Sequence, residues 1–269
     1  MHSETIDAVR RALAEDIGSG DVTSQACVPE DRQASGSFLA REPMVLAGTE
    51  VLTLIYPEGL NLLHRDGDTL HEGDRIATVR GSARKLLECE RVALNFLQRL
   101  SGVASLAREF AKAVDGTNCR VLDTRKTTPG LRRLEKSAAA AGGVTNHRMG
   151  LYDAILIKNN HIAAAGGVRQ ALRNAFAYGL PVEIEVRTME ELTQALDSGA
   201  THLLLDNLTP AQAKDWVRFV AGRATIELSG NVSLATVRSY AETGADFVSA
   251  GAITHSAPAK DISFRLELA

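Results

Sequence analysis

After Ile157 the chain repeats one pattern: a helical stretch of mixed polar and apolar residues, a glycine, then a short apolar run that ends on a polar residue. The glycines are Gly179, Gly199, Gly222 and Gly244, and the runs that follow them read VEIEV, HLLLDN, TIELSG and FVSAG. Separations of 20, 23 and 22 residues suit a helix of about three turns, a strand and two short loops. Runs this apolar are buried on both faces, which predicts a parallel sheet with right-handed crossovers. With VLDTRK at 121–126 and AILIK at 154–158 added, the pattern predicts a closed or nearly closed α/β barrel. An open doubly wound sheet is the alternative.

The N-terminal part lacks this repeat. Residues 4–16 have the spacing of an amphipathic helix, which ends before the turn-rich EDIGSGDVTS. The segment from FLAREPMVLAG through RIATVRG reads as short strands separated by Gly and Asp. From Ala83 to Val114 the pattern is helical again, broken or kinked around Ser101 and Gly102. The expected organisation is therefore a small domain with connecting helices over 1–114, a barrel over 115–254, and a tail over 255–269 that packs back on the small domain.

Composition narrows the function classes. With 45% apolar and 23% charged residues in 269, the chain is an ordinary globular protein rather than a disordered one. A net charge of −3 argues against a nucleic-acid partner or an anionic membrane surface. Cys27, Cys89 and Cys119 have no paired spacing, which fits reduced thiols in a cytoplasmic protein. No apolar run has the length of an export signal or a membrane span.

Against that balance, one stretch is strongly basic. Residues 123–162 carry Arg125, Lys126, Arg132, Arg133, His147, Arg148 and Lys158 among Gly- and Ala-rich segments, with Glu135 and Asp153 as the acids after Asp123. A solvated helix face normally interleaves its cations with acids, so this density suggests an anion site. Ligands of α/β barrels and doubly wound sheets sit at the carboxyl ends of the strands. The polar strand ends here are Arg125 and Lys126, Lys158, Glu185, Asp206, Ser229 with Gly230, and Gly251.

Glu185 and Asp206 stand one repeat apart, and two close carboxylates favour a hard cation such as Mg²⁺ that bridges to phosphates. A helix cap or a salt bridge is the plainer reading of either. Glycines after the last two strands, in SGN at 229–231 and AGAIT at 250–254, let backbone N–H groups approach a phosphate. Lys158 at the end of an apolar strand also fits a Schiff-base nucleophile. Arg91 and Arg99 lie on an amphipathic helix, where structural salt bridges are the default.

EDIGSGDVTS at 15–24, AREPMVLAG at 40–48, ERVALNFLQRLSGVAS at 90–105, the basic block, EIEV, LLLDN, ELSGN and VSAGAITHSA together resemble quinolinate phosphoribosyltransferase over almost the whole chain. The resemblance implies an incomplete α/β barrel joined to a smaller N-terminal α/β sandwich, working as a homodimer or a multimer of dimers. It implies phosphoribosyl transfer from phosphoribosyl pyrophosphate to quinolinate, with loss of CO₂, in NAD biosynthesis. By matched position, Thr124, Arg125, His147, Arg148 and Lys158 belong to the substrate pocket, with Arg91 lent by the second subunit. Lys126 and Lys158 meet the pyrophosphate. Glu185 and Asp206 hold Mg²⁺ and the ribose hydroxyls, while Ser229, Gly230, Asn231 and Gly251 cradle the 5′-phosphate. Lys126, Lys158, Glu185 and Asp206 are the implied catalytic groups. One departure is Asn159, where the family often carries an acid.

Two other readings bear on the same residues. GLNLLHRDGDTLHEGDRIATVRG resembles the hairpins of biotinyl and lipoyl carrier domains, but those modules need a lysine at a hairpin tip and the first lysine here is Lys85. The molybdenum-transport-associated paralogue of the same family shares the barrel with a different substrate. The retained diacid pocket argues against it.

Overall fold

A computed structural model describes residues 2–268. Its elements in chain order are α1 Ser3–Ile17, α2 Val22–Cys27, β1 Gln33–Ala40, β2 Met44–Val45, α3 Thr49–Ile55, β3 Leu60–Leu62, β4 Thr69–Leu70, β5 Arg75–Ser82 and α4 Ala83–Ala113. Then follow β6 Arg120–Leu122, α5 Arg132–Gly142, β7 Ile155–Ile157, α6 Asn159–Ala165, α7 Val168–Phe176, β8 Val182–Val186, α8 Met189–Asp197 and β9 His202–Asp206. The last elements are α9 Pro210–Val220, β10 Thr225–Ser229, α10 Val237–Ala241, β11 Phe247–Ser249, α11 Ala252–His255 and β12 Ile262–Leu268. Local chemistry sets several starts. Asp21 accepts the N–H groups of Thr23 and Ser24 to cap α2. Thr209 caps α9, with Pro210 in its first turn.

The chain forms two compact units. The first comprises 1–108, 127–143 and 256–269; the second comprises 109–126 and 144–255. The division differs from the expected ranges chiefly at 127–143, which contains α5. Contacts to α4 explain this. Arg108 Nε donates to the Gly142 carbonyl at 2.7 Å, and Arg99 on α4 donates twice to Glu135 Oε1 on α5, at 3.0 and 2.8 Å.

In the first unit, an antiparallel sheet has the order β12-β1-β5-β3. Alternate residues of β1 are buried, so one face packs inward. Phe38 at its centre is fully buried, with the Phe264 ring 4.8 Å away and Tyr56 at 6.1 Å, centroid to centroid.

Two expectations fail here. Thr49–Ile55, inside the stretch read as strands, is helical; Asp66 receives the N–H groups of Gly48 and Thr49 and so satisfies the donors at that end. Of the break or kink expected around Ser101 and Gly102, the break is absent: the helix from Ala83 runs on to Ala113. Those small residues serve packing instead. Ser101 Oγ accepts from the Ala47 N–H at 3.1 Å, and a Cβ on Gly102 would lie 2.1 Å from the Pro258 carbonyl oxygen.

The second unit holds six parallel strands in the order β6-β11-β10-β9-β8-β7. From β7 to β11 the order advances in one direction, then returns to β6. A doubly wound sheet would reverse at a switch point, so this is the winding of a barrel. The end strands β6 and β7 share no ladder among the described residues; the only addition there is a parallel bridge from Leu122 to Thr145. The barrel is incomplete. Gly179, Gly199, Gly222 and Gly244 all have positive φ and lie two or three residues past a helix end, where they turn the chain toward the next strand.

Candidate active site

Side chains alternate along a strand, so Glu183 and Glu185 share a face of β8, Leu204 and Asp206 a face of β9, and Glu227 and Ser229 a face of β10. Parallel pairing puts Leu204 opposite both Glu185 and Glu227, and Asp206 opposite Ser229. These faces open on a cavity of about 820 Å³ in the second unit. It is lined by Thr124, Arg125, Lys126, His147, Arg148, Lys158, Glu185, Asp206, Ser229, Gly230, Asn231 and Gly251. Segments more than a hundred residues apart in sequence thus meet at one strand-end mouth. Arg91 is exposed on α4 and is not part of this lining. Arg132 and Arg133, counted with the basic stretch, open α5 in the first unit and do not line it either. Arg99 is the structural bridge to Glu135.

Three acids fix the basic residues. Buried Asp123 accepts from Asn146 Nδ2 at 2.6 Å and from the His147 N–H at 2.7 Å. His147 Nε2 lies 3.1 Å from Glu183 Oε2 and 3.3 Å from Glu227 Oε2. Its other ring nitrogen, Nδ1, accepts the Arg148 N–H at 2.7 Å. Arg148 donates from a guanidinium nitrogen to the Ala154 carbonyl at 3.0 Å. Glu183 and Glu227 escaped sequence reading because they sit inside runs read as buried strand. The usable signal was their spacing, two residues before Glu185 and Ser229 and so on the same strand faces.

Electrostatics follow from this crowding. Burial, then the charge of Arg125, push the Arg148 pKa down, so two guanidiniums repel in a half-buried space that an anion between them relieves. Burial disfavours a charge on His147, but the hydrogen bonds to Glu183 and Glu227 outweigh it and push its pKa up to about 10. Burial also raises the Glu227 pKa. The Arg148 N–H at Nδ1 requires that nitrogen bare, so the geometry opposes the doubly protonated ring that this shift favours and puts the ring's one proton on Nε2, facing the two acids.

The remaining groups form the rim. Lys158 Nζ is 3.6 Å from Glu185 Oε2, the amine half exposed and the acid buried. Asp206 accepts from Asn207 Nδ2 at 2.7 Å. Lys126 is placed from two sides: its N–H donates to Thr124 Oγ1 and its carbonyl accepts from Thr254 Oγ1. Gly230 has φ +105°, and a Cβ there would lie 2.3 Å from Asn207 Oδ1; Asn231 also has positive φ. Such turns form concavities of backbone N–H groups that suit anions. A Cβ on Gly251 would meet Lys126 Cδ at 2.9 Å.

The C-terminal domain model of quinolinate phosphoribosyl transferase matches residues 103–265, and its N-terminal domain model matches 21–101. A mitochondrial quinolinate phosphoribosyltransferase (decarboxylating) of Nicotiana tabacum is 39% identical over 288 residues, covering 97% of this chain and 82% of the relative. A chloroplastic nicotinate-nucleotide pyrophosphorylase (carboxylating) of Arabidopsis thaliana is 40% identical, covering 96% and 82%. The solved nicotinate-nucleotide pyrophosphorylase from Francisella tularensis superposes with a TM-score of 0.93 at 36% identity, covering 98% of this chain and 96% of that one. On matches that run through both domains, the chain belongs to the quinolinate phosphoribosyl transferase family.

Proposed function

We propose that this protein transfers the phosphoribosyl group of phosphoribosyl pyrophosphate to quinolinate and releases pyrophosphate, CO₂ and nicotinate mononucleotide. The observation that carries the reading is the single cavity in which Arg125 and Arg148 crowd together while Glu185, Asp206 and the Ser229–Asn231 turn line the same mouth. A diacid ring and a polyphosphate each need cations, and the ribose between them needs acids. Lys158 fits a Schiff-base role less well, being half exposed and beside Glu185; such lysines sit desolvated in apolar pockets.

The two arginines align the diacid by bidentate contacts, so the pyridine nitrogen faces the ribose C1. Lys126 and Lys158 take the charge of the departing pyrophosphate. As the C1–O bond breaks and the nitrogen–C1 bond forms, Glu185 and Asp206 face an oxocarbenium-like carbon that negative charge stabilises. The C2–carboxylate bond then breaks; its electron pair stays at C2 beside the positive ring nitrogen, and a proton adds there. Ser229, Gly230, Asn231 and Gly251 would hold the 5′-phosphate. Glu185 and Asp206 offer hard oxygen donors suited to Mg²⁺, which would neutralise pyrophosphate charge when bound.

Family likeness also supports a homodimer, or a multimer of dimers, in which exposed Arg91 serves the partner's site. No helix among the described residues is long and apolar enough to cross a membrane. Free Cys27, Cys89 and Cys119 support a reducing, cytoplasmic setting. Purified protein with phosphoribosyl pyrophosphate and Mg²⁺ should turn over quinolinate and not nicotinate, because a missing carboxylate leaves clustered arginines unmatched. Equal turnover of nicotinate would sink the assignment.

A further inference from the structure

His147 lines the cavity, yet neither ring nitrogen is offered to it. Nε2 is held by Glu183 at 3.1 Å and Glu227 at 3.3 Å, and Nδ1 is taken by the Arg148 N–H at 2.7 Å. The ring is a bridge between two acids on β8 and β10, the barrel strands that flank β9, and the backbone of the arginine that follows it. We infer that Glu183 and Glu227 are positioning residues: they hold His147 as the Nε2–H tautomer, and its bare Nδ1 in turn fixes the Arg148 main chain so that the guanidinium meets the diacid. The inference rests on the proposed quinolinate reaction and moves His147 from a substrate contact to a support for one.

The same three side chains bring a possible set of metal ligands within 4.8 Å of one another, but the second ring nitrogen argues against a metal. A histidine bound to a metal through Nε2 carries its proton on Nδ1 and donates it. Here a backbone N–H points at Nδ1, and two donors cannot share that contact. A proton on Nε2 fits the contacts of the group: Nε2–H donates to Glu183 at 3.1 Å with Glu227 at 3.3 Å, and Nδ1 accepts from Arg148. Both acids thus face the imidazole without an ion between them. The main chain is gripped from the other side as well, since the His147 N–H donates to Asp123.

The test pairs imidazole nitrogen NMR with kinetics on the full-length protein. Wild type should show His147 with Nε2 protonated and Nδ1 bare at neutral pH, unchanged by added Zn²⁺. Glu227→Ala should raise the KM for quinolinate about tenfold while the KM for phosphoribosyl pyrophosphate stays put. Glu227→Gln, whose amide oxygen still accepts the Nε2–H, should restore most of that loss. A protonated Nδ1 in wild type would overturn the inference, as would equal rises in both KM values. A Zn²⁺-induced shift of the His147 signals that disappears in Glu227→Ala would replace it with a metal site. If wild type fails to turn over quinolinate, the functional reading falls, and the NMR still decides the tautomer on its own.

Discussion

Replacing Arg99 by Met should destabilise the protein by about 3 kcal/mol. Glu135 is fully buried and accepts four hydrogen bonds: two from Arg99, at 3.0 and 2.8 Å, and two from Thr128, through its N–H at 3.0 Å and its hydroxyl at 2.7 Å. The Met side chain fills similar space but removes both charged donors and leaves the carboxylate with Thr128 alone. Breaking one side of a buried pair costs about 3–5 kcal/mol, and the low end applies because two donors survive and Arg99 is about a quarter exposed. For a chain of this size that is a fall of roughly 6 °C or more in melting temperature, read by calorimetry or circular dichroism. The double variant Arg99→Met with Glu135→Leu removes the stranded charge, so it should recover part of the loss. Thr128 then lacks its acceptor, which keeps recovery incomplete. A single variant as stable as wild type, or a double variant less stable than the single, would refute the account.

Three further outcomes are expected. Glu185→Ala or Asp206→Ala should lower kcat about a hundredfold or more at an unchanged melting temperature; near-normal turnover at saturating substrates would remove both from the chemistry. Gly251→Ala should push the flexible Lys126 side chain aside, since the new Cβ meets its Cδ at 2.9 Å; the KM for phosphoribosyl pyrophosphate should rise about tenfold with little change in stability, and an unaltered KM would place Lys126 away from the donor. Arg91→Ala and Glu185→Ala homodimers should each be nearly inactive, while random exchange of their subunits restores roughly a quarter of wild-type activity; no recovery after verified exchange would exclude a shared site.

The barrel was legible because its glycines recur at helix-plus-strand spacing and each proves to turn the chain at positive φ between a helix and the next strand. The cavity lining was legible for the same reason: once strands are known, their terminal polar residues converge. What stayed hidden depends on contacts between distant segments. TEVLTLI carries β-branched residues, yet its N-terminal donors find Asp66 and it becomes a helix. Ser101 and Gly102 look like a break until the Ala47 backbone and Pro258 are seen against them. Glu183 and Glu227 look like ordinary strand polar residues, because nothing local announces the imidazole reached from residue 147.

The sheet of the first unit has a consequence for the order of folding. Strand β12 pairs along β1 from Ala34 to Ala40, and the Ser35–Glu267 contact joins residues 232 positions apart. During synthesis β1 therefore waits, with one edge open and Phe38 lacking the Phe264 ring, until after the last barrel strand has been made. Pairings this distant fold slowly, and an open apolar edge invites association with other chains. A nascent chain stopped at Asp261 should accordingly aggregate more than one that extends through Leu268, even though its barrel strands are complete.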